Sequence, residues 1–401
     1  MFEDGSTIFQ IYHPVPRNLS GYDGGDFQRQ WIIDSQFQDV DVNTGEVKFE
    51  WKSLDHVPPS HSNITLISGQ AGSGFNSSKG WDYFHINSVD KNNEGDYLIS
   101  ARDTSSIYKI SGKTGDIIYT LGGRNSNDDF EHLDKASHFS YQHHARFQGK
   151  DENGREIISL YDNSGHGTET STGNEVIDAP TSSGKILLVD SVNFTVKTLH
   201  AYYPPDNLLS KSQGSTHVLE NGNVLVNSGS EGAITEYKKD GQAIYHAYFE
   251  KEAQNYRAFK NEWKGYPIEE PAVVGYGYNK SQSTLSLIVA ASWNGDTEVD
   301  IWKFYGSRTI NSELEYIGQN KRRGFETKLE LNDHGSKFVE VVAEGVDKYG
   351  KILTRTAREK VVNNAPLPPY YRNNSNNNNN NIIIHDSLNR FIIANEILIN
   401  V

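Results

Sequence analysis

Three histidines occur at related positions in successive strand-rich segments of the chain. His85 lies in FHINSV, His143 in YQHHARF and His217 in GSTHVLENG, and a glycine turn follows after ten, eleven and five residues, respectively. An imidazole can act as a nucleophile, transfer a proton or bind a metal such as zinc or iron. A histidine at a strand start can also be a packed structural residue, so these interpretations all stay open. No HExxH motif and no carboxylate at ligand spacing accompanies the three histidines, and we predict no metal site.

The three histidines belong to a loose repeat that runs through the first part of the chain. Copies occupy residues 30–51, 95–123, 154–204 and 222–250, and in most of them a glycine turn precedes a short strand that ends in a small or polar residue. Many short β-forming segments separated by Gly, Asn and Asp indicate an all-β protein. Four-stranded units that recur at this scale are typical of the blades of a β-propeller, and an irregular β-sandwich is the alternative.

The repeat predicts where the histidine side chains lie. In a propeller, the first strand of each blade lines the central channel, and these strands begin at one mouth of it. Each histidine opens the first strand of its copy, so we expect His85, His143 and His217 to converge at that mouth. Tyr83, two residues before His85, is expected either to stack on the ring of a ligand at the mouth or to pack between blades.

The pattern changes along the chain and predicts three regions. Residues 1–265 are predicted to form the β-propeller, of which about four blades are recognisable, and residues 270–362 alternate apolar and polar positions as in a small antiparallel β-sandwich. Residues 363–401 contain a Pro-rich linker and an Asn tract and are predicted to be disordered. The best candidate for a helix is the segment NYRAFKNEWKGY at 255–266.

Composition and charge narrow the classes of partner. The net charge of −14 argues against nucleic acid and anionic membranes, and no apolar run approaches the roughly 18 residues of a membrane span. Cysteine is absent, which excludes disulfides and thiolate chemistry. The N-terminal segment MFEDGSTIFQ has no signal-peptide pattern, so we expect no signal peptide in this chain. If an N-terminal part is missing, secretion is expected instead. Glycosylation sequons, which would be used in a secreted glycoprotein, occur at Asn18, Asn63, Asn76, Asn193, Asn279 and Asn373.

Several ordered motifs resemble the arylsulfotransferase family, in particular its fungal-type branch. They are DVDVNTGEVKFEW, WDYFHINSVD, YQHHARF, GSTHVLENGNVLV and SWNGDTEVDIWKFYG, and the similarity covers roughly residues 30–360. Bacterial members are six-bladed propellers that transfer a sulfuryl group between phenols through a transient sulfohistidine, without a nucleotide cofactor. The resemblance therefore implies a six-bladed fold, which this chain is expected to carry incompletely at its N-terminus, phenolic or aryl sulfate substrates, and no cofactor.

The resemblance also implies roles for single residues. His217 matches the histidine that accepts the sulfuryl group, whereas His85 and His143 match the two histidines that bind its oxygens and assist proton transfer. The family has an active-site arginine a few residues after a DN pair, a position at which this chain has SGH. We expect either His166 or Arg146 to take the place of that arginine.

Three functional hypotheses follow. The first is an aryl sulfate sulfotransferase that acts through His217. The second is a non-catalytic propeller that binds a small molecule, a glycan or a protein. The third is a metal-dependent propeller enzyme with histidine ligands. The sequence identifies neither the donor and acceptor nor the compartment and the oligomeric state.

Overall fold

The computed structural model describes residues 4–68, 70–123, 127–167, 175–250, 253–281, 284–332 and 337–363. Nearly all regular structure in these ranges is β-strand, so the prediction of an all-β protein is confirmed at that level. None of the helices in the described ranges is long and apolar enough to cross a membrane. The helices are α1 (Ser53–His56) and five 3-10 helices, Pro59–His61, Leu66–Ser68, Ser77–Lys79, Lys135–Ser137 and Gly229–Glu231.

The chain divides into two compact units, unit 1 up to Lys260 and unit 2 from Asn261 onward. Unit 1 contains four successive sheets whose strands follow one another mostly in antiparallel order. The first sheet consists of β1 (Ser6–Pro16), β2 (Trp31–Asp41) and β3 (Val47–Lys52). The second consists of β4 (Ile86–Lys91), β5 (Tyr97–Ala101), β6 (Ser106–Ile110) and β7 (Ile117–Gly122).

The third sheet of unit 1 has five strands in the order β8-β14-β13-β10-β9, and β8 pairs in parallel with β14. Its strands are β8 (Glu131–His132), β9 (His143–Lys150), β10 (Glu156–Asp162), β13 (Ser183–Asp190) and β14 (Thr195–Tyr202). Between β10 and β13 the chain forms a separate two-stranded ribbon, β11 (Gly165–His166) and β12 (Val176–Ile177). The fourth sheet contains β15 (Ser215–Val218), β16 (Val224–Asn227), β17 (Ala233–Tyr237) and β18 (Ala243–Tyr248).

The second, third and fourth sheets contact one another near their first strands. Ser88 on β4 accepts a hydrogen bond from the backbone of Ala145 on β9 (3.0 Å), and Thr216 on β15 donates to the Leu160 carbonyl on β10 (2.8 Å). The middle strands β5 and β6 are buried throughout, whereas the last strand β18 is largely exposed. The first strands therefore lie on the inside and the last strands on the outside, as expected for propeller blades, although the number of blades in the predicted ring stays a prediction.

Residues 253–260, here called the linking segment, follow the fourth sheet and form no helix, so the helix predicted for 255–266 is wrong. The backbone of this segment hydrogen-bonds to the region around β15 instead of to itself. The Tyr256 carbonyl accepts from Gly214 N (3.0 Å), and Ala258 N donates to Ser215 Oγ (3.1 Å). These external partners satisfy backbone groups that a helix would have paired internally.

Unit 2 contains one continuous eight-stranded sheet where the sequence predicts an antiparallel sandwich. Strand β26 pairs antiparallel with β24 at its start and parallel with β19 further on, so it joins two layers that enclose a common core. Asn320 on β22 donates to the Lys328 carbonyl on β23, and this contact nearly closes the sheet into a barrel. The strands are β19 (Ala272–Ser281), β20 (Thr284–Ser292), β21 (Ile301–Ser307), β22 (Glu315–Lys321), β23 (Glu326–Leu331), β24 (Glu340–Val346), β25 (Ile352–Arg355) and β26 (Glu359–Asn363). The predicted disordered tail, except for Asn363, lies outside the described residues.

Candidate active site

A cavity of about 560 Å³ opens in unit 1 between the first, second and third sheets and the segment that precedes β15. This size suits a small organic molecule, since ligand pockets commonly measure about 300–1,000 Å³. Three imidazoles, a guanidinium, two carboxyl groups and two phenol rings contribute to its wall. The side chains used below are Tyr12, Asp82, His85, Arg102, Asp103, His143, His166, Gln213 and Tyr256.

His85 is held in a strained and well-defined position directly before β4. Its backbone φ is +53°, a left-handed conformation that costs a non-glycine residue energy and that concentrates at functional sites. Asp82 fixes the residue twice, because Oδ1 accepts from the His85 backbone N–H (3.0 Å) and Oδ2 contacts Nδ1 (2.6 Å). The imidazole lines the cavity, is about one-third exposed, and has no hydrogen-bond partner for Nε2 among the described residues.

The carboxylates around His85 determine its charge. Burial lowers the pKa of His85, but the neighbouring Asp82 carboxylate, with a smaller contribution from Asp103, outweighs burial and raises that pKa above its ordinary value. Asp103 is itself buried, and burial raises its pKa to about 6 although His85 and Arg102 act in the opposite direction. Both groups can therefore exchange protons near neutral pH.

Arg102 brings a positive charge to the cavity directly after β5. Its backbone N–H donates to the His85 carbonyl (3.0 Å), so strand pairing places the two residues side by side. Its guanidinium makes long contacts, from Nη1 to Asp103 Oδ1 (3.4 Å) and from Nη2 to the Lys211 carbonyl (3.3 Å). Nε is buried and has no partner among the described residues. A guanidinium with spare donors at a cavity wall suits an anionic ligand with several oxygens.

His143 is buried and neutral, and both of its ring nitrogens are occupied. The Asn163 amide donates to the Ser210 and Gln213 carbonyls, so its oxygen must accept from His143 Nδ1 (2.7 Å). Nε2 then accepts a weak hydrogen bond from the Gln213 backbone N–H (3.3 Å). Burial, with the nearby positive charge of Arg102, holds the pKa of His143 well below its ordinary value.

His166 lies on β11 and is almost fully buried at the cavity wall. Burial, with smaller contributions from Arg102 and His85, lowers the pKa of His166 to about 3, so its imidazole is neutral. Its Nδ1 is buried and has no hydrogen-bond partner among the described residues. Because a buried polar atom is costly when unpaired, a ligand that bonded this nitrogen would stabilise the site.

His217 is not among the residues that line this cavity, and its convergence with His85 and His143 at the mouth of a channel stays a prediction. His143 is the first residue of β9, whereas β15 begins with the pair Ser215–Asn227, and His217 lies two residues further along. Two residues correspond to about 7 Å along a strand. His217 Nδ1 accepts from Lys260 N (3.2 Å), and its ring packs on Phe259 (5.4 Å).

Two further candidates also lie outside the cavity wall. Tyr83 is fully buried, and its hydroxyl donates to the Val57 carbonyl (3.0 Å), so it packs in the core and does not contact a ligand. Arg146 lies near Asp90 and Arg257, and burial lowers its pKa to about 10. Of the two residues expected to replace the arginine of the family, His166 lines the cavity and Arg146 does not.

The sequence analysis missed Arg102, Tyr12 and Tyr256 as cavity residues. A signal for Arg102 was present, because an antiparallel pairing of the strands before and after Gly95 places the residue after β5 opposite the residue before β4. Tyr256 had no such signal, since it belongs to the linking segment and to no sheet. In the described ranges, no group of three His, Asp or Glu side chains is arranged to hold a metal ion.

Comparison with known proteins assigns the chain to a family. The family model for arylsulfotransferase (ASST) matches residues 1–250, which is more than half of the chain. The chain belongs to the arylsulfotransferase family. Membership of the fungal-type branch stays a prediction. The matched residues include the four sheets and every cavity residue except Tyr256.

Solved structures that resemble the chain are distant, and no curated protein matches it. A protein of unknown function from Bacteroides caccae is 10% identical, with 81% of this chain and 90% of that chain covered and a TM-score of 0.31. Virginiamycin B lyase from Staphylococcus aureus is 8% identical, with 73% of this chain and 87% of that chain covered and a TM-score of 0.29.

Proposed function

We propose that this arylsulfotransferase family member transfers a sulfuryl group from an aryl sulfate ester to a phenol, and that His85 accepts the group. The observation that carries this proposal is the arrangement at His85, with Asp82 on Nδ1, an unpartnered Nε2 on a ring that lines the cavity, and Arg102 beside it. The family match supports sulfuryl transfer in general, and the choice of His85 rests on the cavity. The enclosing fold is proposed to be a propeller with the cavity at the mouth of its channel.

The first step forms a covalent intermediate. Neutral His85 attacks sulfur with the lone pair of Nε2, the N–S bond forms, and the S–O bond to the aryl group breaks. The leaving phenolate takes the proton of Asp103, whose raised pKa keeps part of this carboxyl protonated near neutral pH. The product is an N-sulfoimidazolium, whose positive charge lies against the Asp82 carboxylate, 2.6 Å from Nδ1.

The second step reverses the chemistry with a new phenol. Asp103, now a carboxylate, takes the proton of the acceptor phenol, the phenol oxygen attacks sulfur, and the N–S bond breaks. His85 returns to its neutral form and Asp103 to its protonated form. Over both steps, the donor aryl sulfate and the acceptor phenol are converted into the phenol of the donor and the aryl sulfate of the acceptor, and no further reactant is consumed.

The remaining cavity residues bind the sulfuryl oxygens. Arg102 offers the Nη donors of its guanidinium, which make only long contacts of 3.4 and 3.3 Å, and His166 offers an imidazole on the cavity wall. Donors that are already in place can stabilise the negative charge of the transition state. His143 is proposed to support this wall, since Asn163 and Gln213 occupy both of its nitrogens.

His85 suits the role of nucleophile better than the other histidines. The Nε2 of His143 already accepts a hydrogen bond, and the pKa of His166, lowered to about 3, makes its imidazole a weak nucleophile. His217, which the family resemblance assigns to this role, lies outside the cavity wall. Asp82, by contrast, both orients His85 and raises its basicity.

The proposal is tested with 4-nitrophenyl sulfate as donor and phenol as acceptor. The wild-type protein is expected to release nitrophenol and to form phenyl sulfate. His85→Asn is expected to reduce the rate on the order of a thousandfold or more, because the nucleophile is lost. Asparagine is chosen because it tolerates the positive φ at this position.

The matched control is His217→Ala, which removes a histidine outside the cavity wall and is expected to keep most of the activity. Loss of transfer in His217→Ala with full activity in His85→Asn would overturn the assignment of the nucleophile. No transfer in the folded wild-type protein, with any of several aryl donors, would leave a non-catalytic binding module as the better description.

A further inference from the structure

Two tyrosines, Tyr12 on β1 and Tyr256 in the linking segment, form one part of the cavity wall and are called the tyrosine pair. The Tyr12 ring lies 5.5 Å from the His85 ring, and the Tyr256 ring lies 6.2 Å from the His143 ring. The two side chains belong to the cavity and not to the core, since Tyr12 is 42% and Tyr256 is 49% exposed.

Both rings are held in place although they are exposed. The Tyr12 hydroxyl donates to the Ile86 carbonyl, which follows His85 directly in the chain. Tyr256 is held through its carbonyl, which accepts from Gly214 N (3.0 Å), and the Arg257 guanidinium lies over its ring at 5.2 Å. An aromatic surface that is fixed before binding loses little conformational entropy when a ligand packs on it.

We propose that the tyrosine pair, and Tyr256 in particular, binds the aromatic ring of the substrate and determines the preference for aryl over alkyl sulfates. The inference rests on the proposed function and deepens it by naming the residues that recognise the aryl group. The sulfuryl group faces Arg102 and His166, so the ring that it carries needs an apolar surface elsewhere on the same wall. Tyr256 and Tyr12 offer that surface next to the proposed nucleophile.

The position of Tyr256 outside the sheets makes it suited to selectivity. The backbone of the linking segment hydrogen-bonds to β15 and to its preceding turn, and the Arg257 side chain donates to the Asn87 carbonyl on β4, so these contacts hold the segment whichever side chain stands at position 256. Tyr83, for which ligand stacking was one of two expected roles, is fully buried, whereas Tyr12 and Tyr256 are exposed to the cavity.

The test measures binding without turnover. In the full-length His85→Asn protein, the affinities for 4-nitrophenyl sulfate and for methyl sulfate are compared by calorimetry, with and without Tyr256→Leu. Leucine keeps the apolar volume and removes the ring. Tyr256→Leu is expected to weaken binding of the aryl sulfate about three- to tenfold, as for the loss of one aromatic contact, and to leave methyl sulfate binding unchanged.

Two control variants separate the ring from other causes. Tyr256→Phe keeps the ring and is expected to bind the aryl sulfate within about twofold of the parent, whereas Tyr245→Leu on the exposed strand β18 is expected to change nothing. Equal losses for both sulfates, no loss for either, or a loss in Tyr256→Phe as large as that in Tyr256→Leu would overturn the inference. A catalytically inactive wild-type protein would contradict the proposed function. The difference in affinity between the two sulfates would still decide whether the tyrosine pair binds the aromatic ring.

Discussion

At the scale of single residues, the account depends on the contact between Asp82 and His85. A protonated imidazole cannot attack sulfur, and a deprotonated Asp103 cannot protonate the leaving group, so transfer needs neutral His85 together with protonated Asp103. The Asp82 carboxylate opposes burial and raises the pKa of His85 above its ordinary value. The pKa of Asp103, raised to about 6, lies below that of His85, so this requirement gives a bell-shaped pH–rate profile. The alkaline limb reports the pKa of His85 and should lie above the usual range of a histidine.

Asp82→Asn should move this limb to lower pH, because the smaller contribution of Asp103 no longer offsets the burial that lowers the pKa of His85. The same variant should reduce kcat/KM at its best pH between about 10²- and 10⁴-fold, since the ring loses its orientation and the partner of its positive charge. Profiles of kcat/KM from pH 5 to 9 measure both effects. The exposed Asp116→Asn is the matched control, and an unshifted alkaline limb in Asp82→Asn would contradict the role assigned to Asp82.

Residue types identified part of the cavity wall and missed the rest. His85, His143 and His166 were named from the sequence, and all three line one cavity. The sequence left two roles open for Tyr83, because aromatic residues before a strand form the same pattern whether they face a ligand or the core. Whether such a ring is exposed depends on neighbouring sheets, which a local pattern does not specify.

At the scale of elements, strand register explains what the sequence could and could not predict about His217. The three histidines were compared through their distances from the following glycine turn, and these distances are ten, eleven and five residues. The shorter distance places His217 two residues inside β15, whereas His143 begins β9. Histidines at equal distances from the turn are expected at equal depth in the channel. The shorter distance of His217 therefore already indicated that it lies at a different depth from His143.

In the linking segment, contacts with distant residues override the structure that the local sequence pattern predicts. Its sequence has some helical periodicity, but Asn255, Tyr256 and Ala258 make their backbone hydrogen bonds with β15, β16 and the turn before β15. Contacts between residues some 40 positions apart are decided by the packed sheets and not by local propensity. This segment also supplies Tyr256, the cavity residue that lies outside the part of the chain matched by the family model.

At the scale of the whole molecule, buried neutral histidines predict instability in acid. Burial lowers the pKa values of His143, His144 and His166 in the folded state, so the unfolded chain binds protons first as the pH falls below about 6.5. Their contribution to stability is complete above that pH and is lost below it. Asp103 acts in the opposite direction below pH 6, because its raised pKa favours protonation of the folded state.

Unfolding of unit 1 should therefore take up at least about two protons between pH 6 and pH 5, which lowers its free energy of unfolding by about 2.7 kcal/mol per pH unit. Calorimetry across this range measures the slope. His144→Asn, which suits the positive φ of that residue, should reduce the slope by about one proton. A slope that is flat in the wild-type protein, or unchanged in His144→Asn, would contradict the neutral buried state of these histidines.

The most direct test of the central claim is the location of the covalent intermediate. The protein is mixed with 4-nitrophenyl sulfate without acceptor, quenched within milliseconds in alkali, digested, and mapped by mass spectrometry for peptides that carry an added SO₃ group. The account predicts the modification on the peptide that contains His85, and its absence in His85→Asn. A sulfuryl group found on His217 instead would show that the cavity around His85 and Arg102 is not where the transfer takes place.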